Sequence, residues 1–227
     1  MRAPNTKTEV RQEQIAQAAL ALIGRNGVAG LSVAGVANEV GVVPSGIYRH
    51  FRSKDEILDV VLDMISQRLL GNVQAVRVEV SDPLDRLHRL LLLHLELIRS
   101  NGGIPRVVLS EEIFAGQGRR RLKVYRMISN YLNEVAILVR EAQATGRTRP
   151  DVSPDAAAVM FLGLIQPAAI LWMMSDGKFD IGQHAEHAWQ LFSLMLAQPE
   201  TARAATPPCG PQKKTTIGKK GEAGERP

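Results

Sequence analysis

Between Gly41 and Glu56 the chain reads Gly-Val-Val-Pro-Ser-Gly-Ile-Tyr-Arg-His-Phe-Arg-Ser-Lys-Asp-Glu, and few backbones accommodate that string. Gly41 suits the left-handed conformation of a tight turn. Pro44 suits the first position of a helix, where its missing N–H would have had no partner anyway. Ser53 followed by Glu56 is a capping box, so another helix opens at Lys54. The stretch therefore predicts a turn, a short helix over 44–50 and the start of a long helix.

The flanking sequence follows the same helical grammar. Ile15, Ala18, Ala19, Leu22 and Ile23 recur at i, i+3, i+4, i+7 and i+8, which predicts an amphipathic helix over about 8–25. Gly24, Gly27 and Gly30 end it, and Ser32 is the N-cap of a short helix running to about Val40. After Ser53 the apolar face is Ile57, Val60, Val61, Met64 and Ile65. Asp82-Pro83 and Ser153-Pro154 each pair a capping side chain with proline at the first helical position, predicting helices at 83–100 and 154–174. Further helices are expected at 105–115, at 119–145 with apolar residues on two faces, and at 182–197. No stretch alternates with period two, so the fold class is all-α with about nine helices.

Composition narrows the function. Hydrophobic residues make up 45% and charged residues 22%, ordinary for a chain with a core, and the net charge of +5 favours a polyanionic partner. Through Lys54 there are seven basic residues (Arg2, Lys7, Arg11, Arg25, Arg49, Arg52 and Lys54) against three acids (Glu9, Glu13 and Glu39). The single cysteine, Cys209, forms no internal disulfide, and the polar N-terminus lacks a signal-peptide core, so a cytoplasmic protein is expected. Ala156 to Met174 is long and apolar enough for a membrane span. Gln166-Pro167 interrupts it, small residues fill it and acids flank it, so a buried helix and no membrane partner are expected. The Pro/Gly/Lys-rich stretch 199–227 predicts a disordered basic tail.

A helix-turn-helix lays its second helix in the major groove while the first crosses the backbone. Here Val33 to Val40 is the first helix, Gly41 the turn and Pro44 to His50 the second, held on helix one by Val36, Val40, Ile47 and Phe51. Pro44, Ser45, Gly46 and Arg49 are then left toward the bases, with Tyr48 and His50 toward phosphates. Arg49 is the side chain able to grip guanine with two hydrogen bonds. Lys54 stands in a first turn whose free N–H groups already favour an anion.

These residues resemble the TetR family of bacterial transcriptional regulators. The likeness runs through Ile15-Ala16, Ala18-Ala19-Leu20, Gly30-Leu31-Ser32-Val33, Val36-Ala37 and Val40-Gly41-Val42. It continues through Ser45-Gly46-Ile47-Tyr48-Arg49-His50-Phe51 and Ser53-Lys54-Asp55-Glu56-Ile57-Leu58. The resemblance implies a homodimer with three N-terminal DNA-binding helices, a ligand-enclosing helical body and a four-helix dimer bundle formed by the last two helices. The domains implied are 1–52 for the helix-turn-helix head and 53–198 for ligand binding and dimerisation, before the tail at 199–227. The family's phosphate-contacting aromatic falls on Tyr48, its neighbour on His50 and its helix-four lysine on Lys54. Ser32 joins Pro44, Ser45, Gly46, Tyr48, Arg49, His50 and Lys54 as the candidate DNA-binding set. Relatives often carry Ser or Thr after Gly41-Val42, acting as a helix cap, whereas this chain has Val43.

Candidate effector-lining residues are Met64, Leu91, Phe114, Met127, Tyr131, Phe161 and Trp172, apolar with a few polar tips and suited to a lipophilic small molecule. The expected protein is a transcriptional repressor, associated with the nucleoid, that binds a palindromic double-stranded operator as a dimer and is released by that effector. The alternatives are a ligand-independent chromosome-associated factor and a metal sensor built on His184 and His187, with His88 and His94 elsewhere. No cofactor and no metal are expected. No Ser, Cys or Asp lies in a recognisable nucleophilic setting, so an enzyme is not expected.

Overall fold

The caps and glycine turns of the sequence set out ten helices in a computed structural model that describes residues 6–114 and 118–198. They are α1 (Thr6–Asn26), α2 (Val33–Val40), α3 (Pro44–Tyr48), α4 (Lys54–Glu79), α5 (Pro83–Ser100), α6 (Gly103–Val108), α7 (Glu111–Phe114), α8 (Gly118–Ala144), α9 (Pro154–Met174) and α10 (Ile181–Leu196). Among the described residues there is no strand. The tail expected at 199–227 lies outside them.

Side-chain oxygens cap the helices where the sequence offers them. Asp82 Oδ1 accepts from the N–H groups of Leu84 and Asp85 at 2.8 and 3.1 Å, Ser153 Oγ from Ala156 at 3.4 Å, and Asp180 Oδ1 from Gln183 at 2.9 Å. The helix expected at 105–115 is instead two short ones, α6 and α7. Its start moves back to Gly103 because Pro105 is tolerated within a first turn, whose N–H groups have no intrahelical partner. The break falls at Leu109 and Ser110.

Three helices form the head. Ile15, Ala19 and Ile23 of α1, Val36 of α2 and Ile47 of α3 are completely buried, and Val40 and Phe51 join them. Arg25 of α1 pairs with Glu39 of α2 at 2.5 Å. The body stacks α4, α5, α8 and α9 around Val73, Leu87, Leu90, Val135, Leu138 and Phe161, with α10 packed on α5 and α9. The apolar face of α8 that carries Leu122, Tyr125, Leu132, Val135 and Val139 is only partly covered: Leu122 and Tyr125 near its start are exposed. There α8 meets α4 through charge instead. Arg120 pairs with Asp55 at 3.0 Å and Asp59 at 3.1 Å, and Lys123 pairs with Asp63 at 2.7 Å.

Head and body meet where α1 packs along α4 and where α6 crosses α1. A Cβ added at Gly103 would lie 2.3 Å from the Leu20 carbonyl oxygen and 3.2 Å from the Gly24 nitrogen, so only glycine permits this approach. Beside the crossing, Asn101 Oδ1 accepts from Gln17 of α1 and from Arg68 of α4, each at 3.1 Å.

Candidate nucleic-acid interface and ligand cavity

The turn between α2 and α3 is set by Gly41. At φ 74° and ψ 36° it is left-handed; its N–H donates to Asn38 O at 3.2 Å, and the Val42 N–H donates to Ala37 O at 2.9 Å. These are the two closing bonds of a Schellman stop, which redirects the chain within one residue. At the other end of α2, Ser32 Oγ accepts from the Gly35 N–H at 3.1 Å, leaving its own O–H as an outward donor.

Val43 precedes α3 in an extended conformation and offers no side-chain cap, as its apolar side chain dictates. Pro44 starts α3, and the Gly46 N–H donates to Val43 O at 2.8 Å. The helix is shorter than expected, ending at Tyr48. Arg49 still has right-handed helical angles, and the N–H groups of His50 and Phe51 both converge on Ile47 O, at 2.8 and 3.0 Å. Buried Ile47 and Phe51 thus fix the phase of the segment, and the remaining side chains point away from the core. Pro44, Ser45, Arg49 and Tyr48 are exposed, Tyr48 at 57%, while Gly46 and His50 are half-buried.

Lys54 is the first residue of α4 and is exposed. Ser53 Oγ accepts from the Glu56 N–H at 3.3 Å. The Glu56 carboxylate reaches back to the Arg52 N–H at 2.7 Å, one residue beyond the reciprocal bond of a simple capping box. Arg52, two residues before Lys54, is exposed as well, a cation absent from the expected set although its charge is plain in the sequence. The eight expected DNA-binding residues lie between the α2 cap and the start of α4.

Behind the head, residues of α4, α5, α6, α8 and α9 surround an apolar cavity of about 80 Å³. Its walls include Ile65 and Leu69 of α4, Ile104, Pro105 and Val108 of α6, Met127 and Ile128 of α8, and Leu162 and Ile165 of α9. Its polar residues are His94, Tyr131 and Gln166. His94 Nδ1 and the Tyr131 hydroxyl are 2.9 Å apart, with their rings nearly perpendicular. Burial holds the imidazole down at about 4 and pushes the phenol far above its ordinary value, so both are neutral near pH 7.

Of the expected lining residues, Met127 and Tyr131 border this cavity. Met64, Leu91 and Phe161 are buried in the surrounding core, Phe161 edge-on to Phe192 with ring centres 5.7 Å apart. Trp172 lines a separate surface groove with Phe179 and Arg99, and Phe114 is exposed on α7. His184 Nε2 bonds Leu164 O at 3.0 Å, His88 stacks on Trp189 at 4.8 Å, and His187 is exposed. Among the described residues no three His, Cys, Asp or Glu gather as metal ligands.

α9 is the one described helix long and apolar enough to cross a membrane. It leaves Val159, Met160, Leu171 and Met174 exposed, and α10 exposes Leu191 and Leu194.

Residues 15–61 match the profile of bacterial regulatory proteins of the tetR family, and residues 64–195 match that of the C-terminal region of YsiA-like proteins. A nucleoid occlusion factor, SlmA, from Photobacterium profundum is 24% identical over 86% of this chain and 99% of its own length. A transcriptional regulator from Saccharomonospora viridis, solved with choline, superposes with a TM-score of 0.73 at 22% identity, covering 84% of this chain and 100% of its own. The FadR regulator of Bacillus subtilis, solved with stearoyl-CoA, gives a TM-score of 0.68 at 23% identity over 80% of this chain and 97% of its own. With both halves matched and the helix-turn-helix geometry in place, this chain belongs to the tetR family of bacterial transcriptional regulators.

Proposed function

We propose that this DNA-binding regulator is a repressor that holds a palindromic operator with the paired heads of a dimer and is released by a small, largely apolar effector. In this reading residues 1–52 are the head and 53–198 the body that binds ligand and partner. Ser45, Gly46 and Arg49 approach base edges, and Pro44 starts the entering helix. Tyr48, His50, Lys54 and the Ser32 hydroxyl hold phosphates. The exposure of Ser32, Pro44, Ser45, Tyr48, Arg49 and Lys54, beside half-buried Gly46 and His50, supports the assignment.

One observation carries the switch. Helix α6 is at once a wall of the cavity, through Ile104, Pro105 and Val108, and the support of the head, through Gly103 against Leu20 and Gly24. A ligand that enlarges the cavity displaces a helix that has no slack against α1. The head then shifts, and the two recognition helices leave the spacing of about 34–36 Å that one DNA turn requires. Affinity for the operator falls by the ligand's preference for the displaced state.

The apolar face of α9 and α10 is the proposed dimer bundle. Leu191→Glu would bury a carboxylate without a partner there. Sedimentation is expected to detect monomer at concentrations where the native chain is dimeric, with weaker operator binding and unchanged helix content. A fully dimeric variant would move the interface elsewhere.

Operator fragments selected from random DNA would give the sequence needed to test the head. Arg49→Ala is expected to cost about 1–3 kcal/mol on that operator and much less on random DNA, whereas Tyr48→Ala weakens both alike. Equal losses for Arg49→Ala on both would make it a phosphate contact.

The similarity to proteins named nucleoid occlusion factors supports a second reading, a chromosome-associated factor without an effector. Genome-wide binding separates the two. A few promoter sites mark the repressor, and many dispersed sites mark the chromosomal role.

A further inference from the structure

We propose that the cavity behind the head selects uncharged molecules carrying one hydroxyl or carbonyl group on an apolar frame, and that His94 and Tyr131 hold that group. The inference rests on the effector-released reading above and names the chemical class that reading leaves open.

The lining excludes charge. None of the described residues bordering the cavity is Lys, Arg, Asp or Glu. A carboxylate or ammonium group moved into such walls loses its hydration and gains no opposite charge, a loss that ordinary hydrogen bonding does not offset. Because His94 is held at about 4, it is not a cation near pH 7 and cannot take that part.

The polar pair is suited to a neutral group of either sense. If the Tyr131 O–H donates to Nδ1, the imidazole carries its hydrogen on Nε2 and the pair presents a donor from the ring. If Nδ1–H donates to the phenol oxygen, Nε2 is an acceptor and the phenol hydrogen is released. An alcohol and a ketone are both served by exchanging tautomers, without moving a heavy atom. Exposed Gln166 and Leu109 line the solvent side of the cavity, so a ligand entering there meets the buried pair last.

Size links binding to the switch. Dry apolar cavities that accept benzene measure about 150 Å³. At about 80 Å³ this one fully encloses a ring-sized ligand only by displacing a wall, and α6 is the short helix among its walls.

A matched series on one frame tests the proposal: benzyl alcohol, acetophenone, toluene, benzoate and benzylammonium at millimolar concentration against the full-length dimer, read by calorimetry and thermal shift. The alcohol and the ketone are expected to bind and raise Tm, and the two ions are not. Toluene should bind about fivefold more weakly than the alcohol, as one neutral hydrogen bond implies. Tyr131→Phe should keep toluene binding and narrow that gap. Equal or tighter binding of either ion, or no binding by any neutral member, overturns the proposal on the native protein alone. An unchanged alcohol preference in a folded Tyr131→Phe protein overturns the assigned residues. Fluorescence anisotropy of a selected operator fragment separates the two claims. Neutral ligands that bind without releasing DNA sink the effector reading and leave this one standing. Release by an ion while the neutral congeners fail does the reverse.

Discussion

Gly103→Ala is expected to lower the unfolding free energy by about 3 kcal/mol or more, the upper range for overpacking. The new Cβ would lie 2.3 Å from the Leu20 carbonyl oxygen and 2.8 Å from Leu20 Cδ1. A flexible side-chain tip could rotate aside, but a carbonyl in the middle of α1 is held by the helix itself. The chain can relieve the clash only by lifting α6 from α1, which also loosens the bridge from Asn101 to Gln17. Gly71→Ala in α4 is the matched control, because nothing lies within 4 Å of its added Cβ. In a helix interior that change should stabilise by up to about 1 kcal/mol. Urea unfolding of the two variants at one protein concentration measures the contrast. A Gly103→Ala protein as stable as the native one would mean that α6 is not held rigidly against α1, and the proposed route from cavity to DNA would fail with it.

That crossing also marks where sequence reasoning stopped. The sequence predicts the helix only from Pro105 and assigns no part to Gly103. Its actual purpose is a close approach to Leu20 and Gly24, residues with no local signal connecting them to Gly103. Local chemistry was legible wherever a cap or a left-handed glycine acts within a few positions. Asp82-Pro83 and Ser153-Pro154 start α5 and α9 at the expected residues, and Gly41 turns the chain between α2 and α3. The exposed side of the recognition segment was readable for the same reason, since buried Ile47 and Phe51 set its phase from inside the motif. The cavity was not. Helical periodicity identifies a buried face without saying which buried side chains meet a void, so Leu91 and Phe161 looked as eligible as Met127 and Tyr131. His94, in a leucine-rich run, drew notice only as a possible metal ligand; its bond to Tyr131 crosses from α5 to α8. Likewise the acidic row Asp55, Asp59 and Asp63 and the cluster Arg119, Arg120 and Lys123 are each visible, but only the fold joins them.

His94 should make the protein acid-labile by an amount large enough to isolate. Burial lowers its pKa from 6.5 to about 4, so the folded state resists a proton that the unfolded chain accepts freely. Above pH 6.5 neither state binds that proton, and His94 adds no pH dependence. Between pH 6.5 and 4 the unfolded state binds more protons, and stability falls by up to about 1.4 kcal/mol per pH unit. Below pH 4 both states are protonated and the slope from this group vanishes. The summed loss is about 3 kcal/mol, a large share of an ordinary folding free energy. Glu96 beside Arg99 and Asp151 beside Arg149 are both held below the usual carboxyl value, so the stability they add is lost only at more acid pH, below the range between pH 7 and 5. His94→Gln isolates the imidazole, because glutamine can still hydrogen-bond the Tyr131 hydroxyl but does not titrate. Urea unfolding at pH 7 and pH 5, at one protein concentration because the protein is a dimer, should give a steeper fall for the native chain than for the variant. Parallel curves would mean that the imidazole is reached by water, and the cavity could then no longer be treated as a dry chamber that turns charged ligands away.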